Sequence, residues 1–197
     1  MISNVDSRNP AIKQSEQSEQ SNNLAIVIKS WPVIALATIG LCYLTQTVAK
    51  GFGIELPDQA NIEIVKRYAG WNWNFALLCA QILVLMPAIE ELIFRYLLFK
   101  LPTKKLAKFR RFTDSPDSLI AKPSITKFVA VFSSILFSAA HYLAQPWPDA
   151  AFVALFFFGL AQCWLYEKTG HLWCAILNHG LFNLTNLVLL FILPEAA

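Results

Sequence analysis

The residues that could do chemistry in this chain begin with a charged turn inside an apolar stretch. Glu90, Glu91 and Arg95 lie within an otherwise apolar run, residues 71–99. If that run crosses a membrane, a bare carboxylate at its middle costs roughly 2.5–3.5 kcal/mol on insertion scales. Glu91 and Arg95 are four residues apart, so on a helix they share a face and can pair. Glu90 lies about 100° around the helix axis and lacks that partner, which makes it a candidate general base.

Two later apolar stretches each carry a histidine that could face Glu90. One contains His141. The other contains His179, Asn183 and Asn186, whose spacing places them on one helical face. A carboxylate base, imidazoles and an amide donor form a usable set for hydrolysis of an acyl group by activated water.

Each of these polar residues, taken singly, also has a purely structural interpretation. Glu91 and Arg95 could form a structural ion pair. His141 could lie at the membrane interface, and Asn183 could make an interhelical hydrogen bond. His171 begins its apolar stretch, and we interpret it as non-catalytic. Taken together, these residues favour a catalytic site. Polar groups on three spans must all avoid the lipid, and the least costly arrangement places them in one shared cavity.

The composition indicates a multi-pass membrane protein. Of the 197 residues, 56% are hydrophobic and 15% are charged, and the mean hydropathy is +0.47; a soluble domain has about 25% charged residues. We predict an all-α, polytopic membrane helical bundle, because a helix satisfies its own backbone polar groups in lipid. About five transmembrane helices are expected, or six if residues 55–70 form a surface or re-entrant segment. The predicted spans are residues 24–48, 71–99, 125–143, 150–166 and 171–193.

The parts of the chain outside the predicted spans indicate its domain boundaries and its orientation in the membrane. Residues 1–23 are polar and are predicted to be a disordered tail, followed by the transmembrane bundle at residues 24–193. Half of the 16 basic residues fall within residues 100–127. Because such basic loops stay cytoplasmic, we expect the N-terminus in the cytoplasm. The four cysteines have no metal-ligand spacing and are interpreted as packing residues.

Three motifs follow one another along the chain, each within a predicted span. They are Glu90-Glu91-x-x-x-Arg95, Phe137-x-x-x-His141 and His179-x-x-x-Asn183. In this order they resemble the motifs of the CPBP intramembrane glutamic endopeptidases. That group contains the Ras-converting CAAX prenyl endopeptidases and the bacterial Abi-type proteins. The resemblance covers about residues 71–193, so the first predicted span and the tail lie outside it.

The resemblance implies a peptidase that works without a metal or another cofactor. Glu90 would activate water with the help of His141. His179 and Asn183 would donate hydrogen bonds to the tetrahedral oxyanion. The residues alone also allow a zinc site of two histidines and one carboxylate, formed by Glu90, His141 and His179. The resemblance favours the mechanism without metal over this alternative.

Three further residues would support this site. The resemblance implies that Glu91 and Arg95 pair and hold the glutamate helix in place, and that Phe137 packs beside the pocket. Because Glu90 and Glu91 are adjacent, their protonation could be coupled. The choice of Glu90 as the base therefore depends more on the resemblance than on the spacing.

The leading hypothesis is an intramembrane endopeptidase that cuts a membrane-associated peptide or protein. The resemblance implies one of several substrate classes, among which the sequence does not choose: prenylated proteins, peptide signals or bacteriocin-related peptides, and proteins with a C-terminal sorting tag. We expect a multi-pass protein of the bacterial cytoplasmic (inner) membrane. It contacts the lipid bilayer and is expected to bind no nucleic acid. Two alternatives use the same polar cluster: a non-enzymatic membrane immunity or binding protein, and a small proton-coupled transporter.

Overall fold

Helices make up nearly all of the described chain, and the predicted all-α bundle is confirmed. This computed structural model describes residues 10–54, 56, 60–70, 72–113, 122–143 and 151–192, and within them it has no strand. The α-helices are α1 (Pro10–Gly51), α2 (Ala60–Tyr68), α3 (Trp73–Ala80), α4 (Met86–Glu91), α5 (Leu101–Thr113), α6 (Lys122–Leu143), α7 (Ala151–Thr169) and α8 (Leu172–Ile192). Two π-helical segments, π1 (Gln81–Leu85) and π2 (Leu92–Lys100), join α3 to α4 and α4 to α5.

Four helical stretches in the described part of the chain are long and apolar enough to cross a membrane. They are Gln14–Gly51, Trp73–Leu106, Ile125–Leu143 and Leu172–Ile192. The span predicted at residues 150–166 is present as α7, but it is not among these four. α7 includes Gln162, Glu167 and Lys168, which lower its hydropathy. It nevertheless packs against α1, α6 and α8, so it is an integral part of the bundle.

The structure differs from the sequence prediction at the N-terminus. Residues 10–23, for which we expected disorder, form the first turns of α1. Gln and Glu are good helix formers, so a polar stretch that leads into an apolar helix can extend it. The side chain of Asn23 is buried, and Glu19 Oε1 lies 3.2 Å from His171 Nε2. Residues 1–9 lie outside the described residues, so disorder there stays a prediction.

The first helix belongs to the bundle although the motifs begin after it. α1 packs against α7 and α8. Ala35 of α1 is buried in an apolar cluster with Phe137, Phe158 and Phe182. The indole Nε1 of Trp31 donates a hydrogen bond to Thr185 Oγ1 on α8 at 3.1 Å. α1 therefore supports the helices that carry the polar motifs.

Both glutamates lie on α4, a helix of six residues between the two π-helical segments. The buried Pro87 is the second residue of this helix and has no backbone N–H to donate. In π1 the amide of Met86 donates to the carbonyl of Gln81, five residues earlier instead of four. π-helical segments inside longer helices are frequent at functional sites. The irregular backbone thus coincides with the charged turn.

Candidate active site

Three residues from three helices converge at one point. Glu90 of α4 places its Oε2 atom 3.7 Å from Nε2 of His141 on α6. The same oxygen lies 3.6 Å from Nε2 of His179 on α8. This oxygen is buried and has no hydrogen-bond partner among the described residues. The side chain of His141 is 29% exposed and that of His179 6%, so the cluster is reached from the His141 side.

The second glutamate contacts both the histidine of α8 and the arginine of its own helical stretch. Glu91 is fully buried, and its Oε1 lies 2.9 Å from His179 Nδ1. Its Oε2 lies 2.9 Å from Arg95 Nε, although the N–H is not aligned for a hydrogen bond. Glu91 therefore holds an imidazole as well as a guanidinium, and the sequence had suggested only the guanidinium.

The hydrogen bonds fix the protonation of the two ring nitrogens that face away from Glu90. His141 Nδ1 lies 2.9 Å from the carbonyl oxygen of Phe137, which can only accept, so Nδ1 carries the proton. His179 Nδ1 likewise donates to the Glu91 carboxylate. In the neutral form of each ring, Nε2 is then an acceptor. Three acceptor atoms, one oxygen and two nitrogens, thus face one another.

Phe137 lies among the charged and polar groups of the site. Its ring centroid is 4.5 Å from that of His141 and 6.1 Å from that of His179. The Arg95 guanidinium carbon is 4.8 Å from the same centroid, within the range of a cation–π interaction. Arg95 is fully buried, and its two terminal nitrogens have no hydrogen-bond partner among the described residues. The ring of Phe137 therefore covers a buried charge that is ion-paired with Glu91 but has no hydrogen bond among the described residues.

The side chain of Asn183 on α8 contacts the backbone of π1. Its Nδ2 donates to the carbonyl oxygen of Ile82 in π1 at 2.9 Å. Asn186, which shares its helical face in the sequence, donates to Phe182 O within α8 instead. His171 lies just before the start of α8 and contacts Glu19 of α1. Asn186 and His171 are thus not brought to the Glu90 cluster.

A buried pair of amides near the site was missed from the sequence. Gln162 Nε2 on α7 donates to Asn178 Oδ1 on α8 at 3.0 Å, and both side chains are fully buried. The remaining amide atoms, Gln162 Oε1 and Asn178 Nδ2, have no partner among the described residues. The available signal was Gln162 itself, since an amide inside an apolar helix must find a partner on a neighbouring helix. Asn178 directly precedes His179, so the pair bears on the orientation of that histidine.

The donor types of Glu90, His141 and His179 suit the zinc alternative. Their placement does not form a ligand set, and no group of three His, Cys, Asp or Glu side chains in the described ranges does so. No step is therefore derived through a metal.

A bundle of membrane-length helices that encloses a glutamate–histidine cluster defines an integral, multi-pass membrane protein with a buried polar site. A family model described as "Type II CAAX prenyl endopeptidase Rce1-like" matches residues 72–185, more than half of the chain. The chain belongs to this family, which confirms the resemblance of its motifs and makes it a membrane endopeptidase of the CAAX type at family level. No curated protein and no solved structure matches the chain.

Proposed function

We propose that this protein hydrolyses a peptide bond in a membrane-associated substrate with water activated by Glu90 and His141, without a metal. The observation that carries the proposal is that Glu90 Oε2 lies 3.7 Å from the Nε2 acceptor of His141 and 3.6 Å from that of His179. Glu90 Oε2 is a buried acceptor without a partner among the described residues, which is unfavourable unless a donor lies beside it. A water molecule can donate one O–H to Glu90 Oε2 and the other to a histidine Nε2, at the place where a nucleophile is required.

The proposed reaction begins with the transfer of a proton from water to Glu90. The water oxygen forms a bond to the carbonyl carbon of the scissile peptide, and the carbonyl electron pair moves onto its oxygen. When this tetrahedral oxyanion collapses, the C–N bond breaks and the departing amine takes the proton held by Glu90. His141, fixed by its bond to Phe137 O, orients the water during both proton transfers.

The oxyanion is the second group that the site must stabilise. In the proposed roles, His179 and Asn183 donate to it. His179 already has a proton on Nδ1, so it can donate from Nε2 only after it accepts the proton that Glu90 takes from water. The buried Glu91 carboxylate stabilises the resulting imidazolium, and the proton returns to Glu90 before the amine departs. Asn183 gives one N–H to Ile82 O, and its second N–H is the donor that the proposal requires. One such donor is typically worth about 10²–10³-fold in kcat.

The substrate proposed from family membership is a membrane-associated protein with a prenylated C-terminal segment. The side chains on much of the outer surface of the bundle are apolar and exposed, as expected for a protein that meets lipid on most sides. A prenyl chain partitions into the same hydrocarbon phase. The scissile bond and the Glu90 cluster would then meet within the membrane.

Proteolysis by the purified protein in nanodiscs tests the proposal. Prenylated peptides and the same peptides without the lipid are compared, and cleavage is followed by mass spectrometry. Glu90→Gln and His141→Gln should each lower kcat by about 10²–10⁴-fold. Glu19→Gln, an exposed change on α1, is the matched control and should leave cleavage intact. Full activity of both site variants would refute the mechanism.

Three further measurements separate the alternatives. Cleavage should survive a chelator, and the active protein should hold no stoichiometric zinc; loss on chelation that zinc restores would favour the metal site. If no peptide is cut and liposomes instead show proton-coupled flux that Glu90→Gln abolishes, the transporter alternative is supported. If Glu90→Gln preserves a binding function and no cleavage is seen, the non-enzymatic alternative is supported.

We also propose the bacterial inner membrane as the location, with the N-terminus and the basic residues 100–127 on the cytoplasmic side. A topology reporter at Ser115 should therefore report a cytoplasmic position. A reporter fused after Leu193 counts the membrane crossings. Five crossings place this reporter on the non-cytoplasmic side, whereas crossing by the four membrane-length stretches alone places it in the cytoplasm. A non-cytoplasmic result at Ser115 would overturn the orientation.

A further inference from the structure

A second contact joins α8 to π1, the segment that directly precedes the helix α4 with Glu90. We call it the α8–π1 seam; it consists of Gly180 and Asn183 on α8 and the carbonyl groups of Ile82 and Leu83 in π1. Asn183 Nδ2 donates to Ile82 O at 2.9 Å. A Cβ atom on Gly180 would lie 2.5 Å from Leu83 O, so the two backbones approach as closely as a glycine allows. α8 is thus fixed to π1 by one hydrogen bond and one close backbone contact.

Pro87 explains why π1 offers a free carbonyl at this place. The amide of Met86 donates to Gln81 O, five residues earlier. In the same register the next amide would donate to Ile82 O, but Pro87 occupies that position and has no N–H. A buried carbonyl without a partner is costly, and here the amide of Asn183 supplies the donor. Pro87 and Asn183 therefore act on the same carbonyl, although they are far apart in the sequence: Pro87 leaves Ile82 O without a backbone donor, and Asn183 supplies a side-chain donor.

We infer that Gly180 is a positioning residue, and that the α8–π1 seam sets the gap between His179 and Glu90. His179 directly precedes Gly180 on α8, and Glu90 follows Pro87 by three residues on α4. A methyl group on Gly180 meets a backbone oxygen, which cannot rotate away as a flexible side chain would. Gly180→Ala therefore moves α8 away from π1 and changes the 3.6 Å separation of His179 Nε2 and Glu90 Oε2.

The first test is spectroscopic and does not depend on the proposed peptidase activity. The chain has three histidines, so the imidazole ¹⁵N signals can be assigned by replacing each in turn. Gly180→Ala should shift the His179 signals and leave those of His171 unchanged, because His171 lies just before the start of α8, more than two helical turns from Gly180. Gly40→Ala, where an added Cβ meets nothing within 4 Å, is the matched control. Unchanged His179 signals in a folded Gly180→Ala protein would overturn the inference.

The second test uses the cleavage assay and depends on the proposed function. A displacement of about 1 Å in an active site can lower the rate by about 10²-fold, so Gly180→Ala should lower kcat by this order while KM changes little. Gly40→Ala should match the unchanged protein. If the protein is not a peptidase, no variant shows cleavage in this assay. The spectroscopic test still measures whether Gly180→Ala displaces His179.

Pro87→Ala provides an independent variant that keeps the helix and restores an amide. The new N–H competes with Asn183 for Ile82 O, so it should loosen the seam and shift the same His179 signals. Because both changes act through one contact, the loss of kcat in Pro87→Ala/Gly180→Ala should be well below the product of the two single losses. Additive losses, or Pro87→Ala signals identical to those of the unchanged protein, would contradict the shared seam. If Gly180→Ala fails to fold, the Pro87→Ala spectrum decides.

Discussion

Glu91 Oε1 lies 2.9 Å from His179 Nδ1, and both side chains are buried. The spacing of the first motif relates Glu91 to Arg95 alone, but the folded chain uses the same carboxylate to orient an imidazole. A carboxylate that holds one ring nitrogen directs the other nitrogen toward the reacting groups, as in the serine protease triad. In this protein the directed nitrogen is Nε2, and it faces Glu90.

Replacement of Glu91 by glutamine is expected to destabilise the protein strongly. Glu91→Gln keeps an oxygen for His179 but leaves the Arg95 guanidinium buried without a counter-charge. Removal of one partner of a buried ion pair typically costs about 3–5 kcal/mol, and thermal unfolding in detergent measures it. Glu19→Gln breaks the exposed pair with His171 and should cost at most about 1 kcal/mol. Equal stability of Glu91→Gln and the unchanged protein would contradict the prediction.

Phe137→Leu should reduce both stability and cleavage. The ring contacts two imidazoles and the Arg95 guanidinium, and aromatic contacts of this kind are worth about 0.5–1.5 kcal/mol beyond the area they bury. Leucine fills much of the volume but has no ring face for the cation. Phe128→Leu, on the exposed side of α6, is the control and should change neither quantity. The comparison uses unfolding midpoints together with kcat, and a neutral Phe137→Leu would show that the ring only fills space.

The general architecture could be predicted from the sequence because lipid imposes a simple rule. Long apolar stretches must be helices, and polar residues within them must face one another. This reasoning alone brought Glu90, His141 and His179 together as a hypothesis, and the structure places them within 3.7 Å. The rule carries no information on polar helix ends, which is why residues 10–23 were expected to be disordered and are helical.

The details of the site depend on features that a pattern of residue types does not contain. The donation from Asn183 to Ile82 O requires a π-helical register and a proline at the position whose amide would have served that carbonyl. Residue spacing assumes a regular α-helix, so it gives no sign of a free carbonyl. The pairing of Gln162 with Asn178 depends on how α7 rotates against α8, which tertiary packing decides.

Asn183→Ala should reveal two separable losses. The part-buried Ile82 carbonyl loses its donor, which should cost about 1 kcal/mol of stability. In the proposed mechanism the oxyanion also loses a donor, which lowers kcat by about 10²–10³-fold. Asn186→Ala is the control, since the hydrogen bond that its side chain makes in the described part of the chain stays within α8. A variant that loses stability but keeps kcat would restrict Asn183 to a structural role.

The bond between α1 and α8 predicts a contribution of the first helix to stability. Trp31→Phe keeps the aromatic ring and removes the N–H that donates to Thr185 Oγ1. One such hydrogen bond contributes about 0.5–1.5 kcal/mol net. Thr185→Val removes the acceptor, and the double variant should be no less stable than the worse single variant if the bond accounts for the loss. Additive losses would show that the two residues act separately.

The amide pair behind His179 gives the last prediction. Gln162→Leu removes the donor to Asn178 Oδ1 and leaves the Asn178 amide buried without a partner, which should cost about 1–3 kcal/mol. Gln162→Leu/Asn178→Leu replaces both groups by apolar side chains and should recover much of that loss, because no unpaired polar atom then remains. Chemical or thermal unfolding of Gln162→Leu, Asn178→Leu and the double variant measures the cycle. If the double variant recovers stability and kcat remains low, the amide pair orients His179 for the reaction; if both recover, the pair serves packing between α7 and α8 alone.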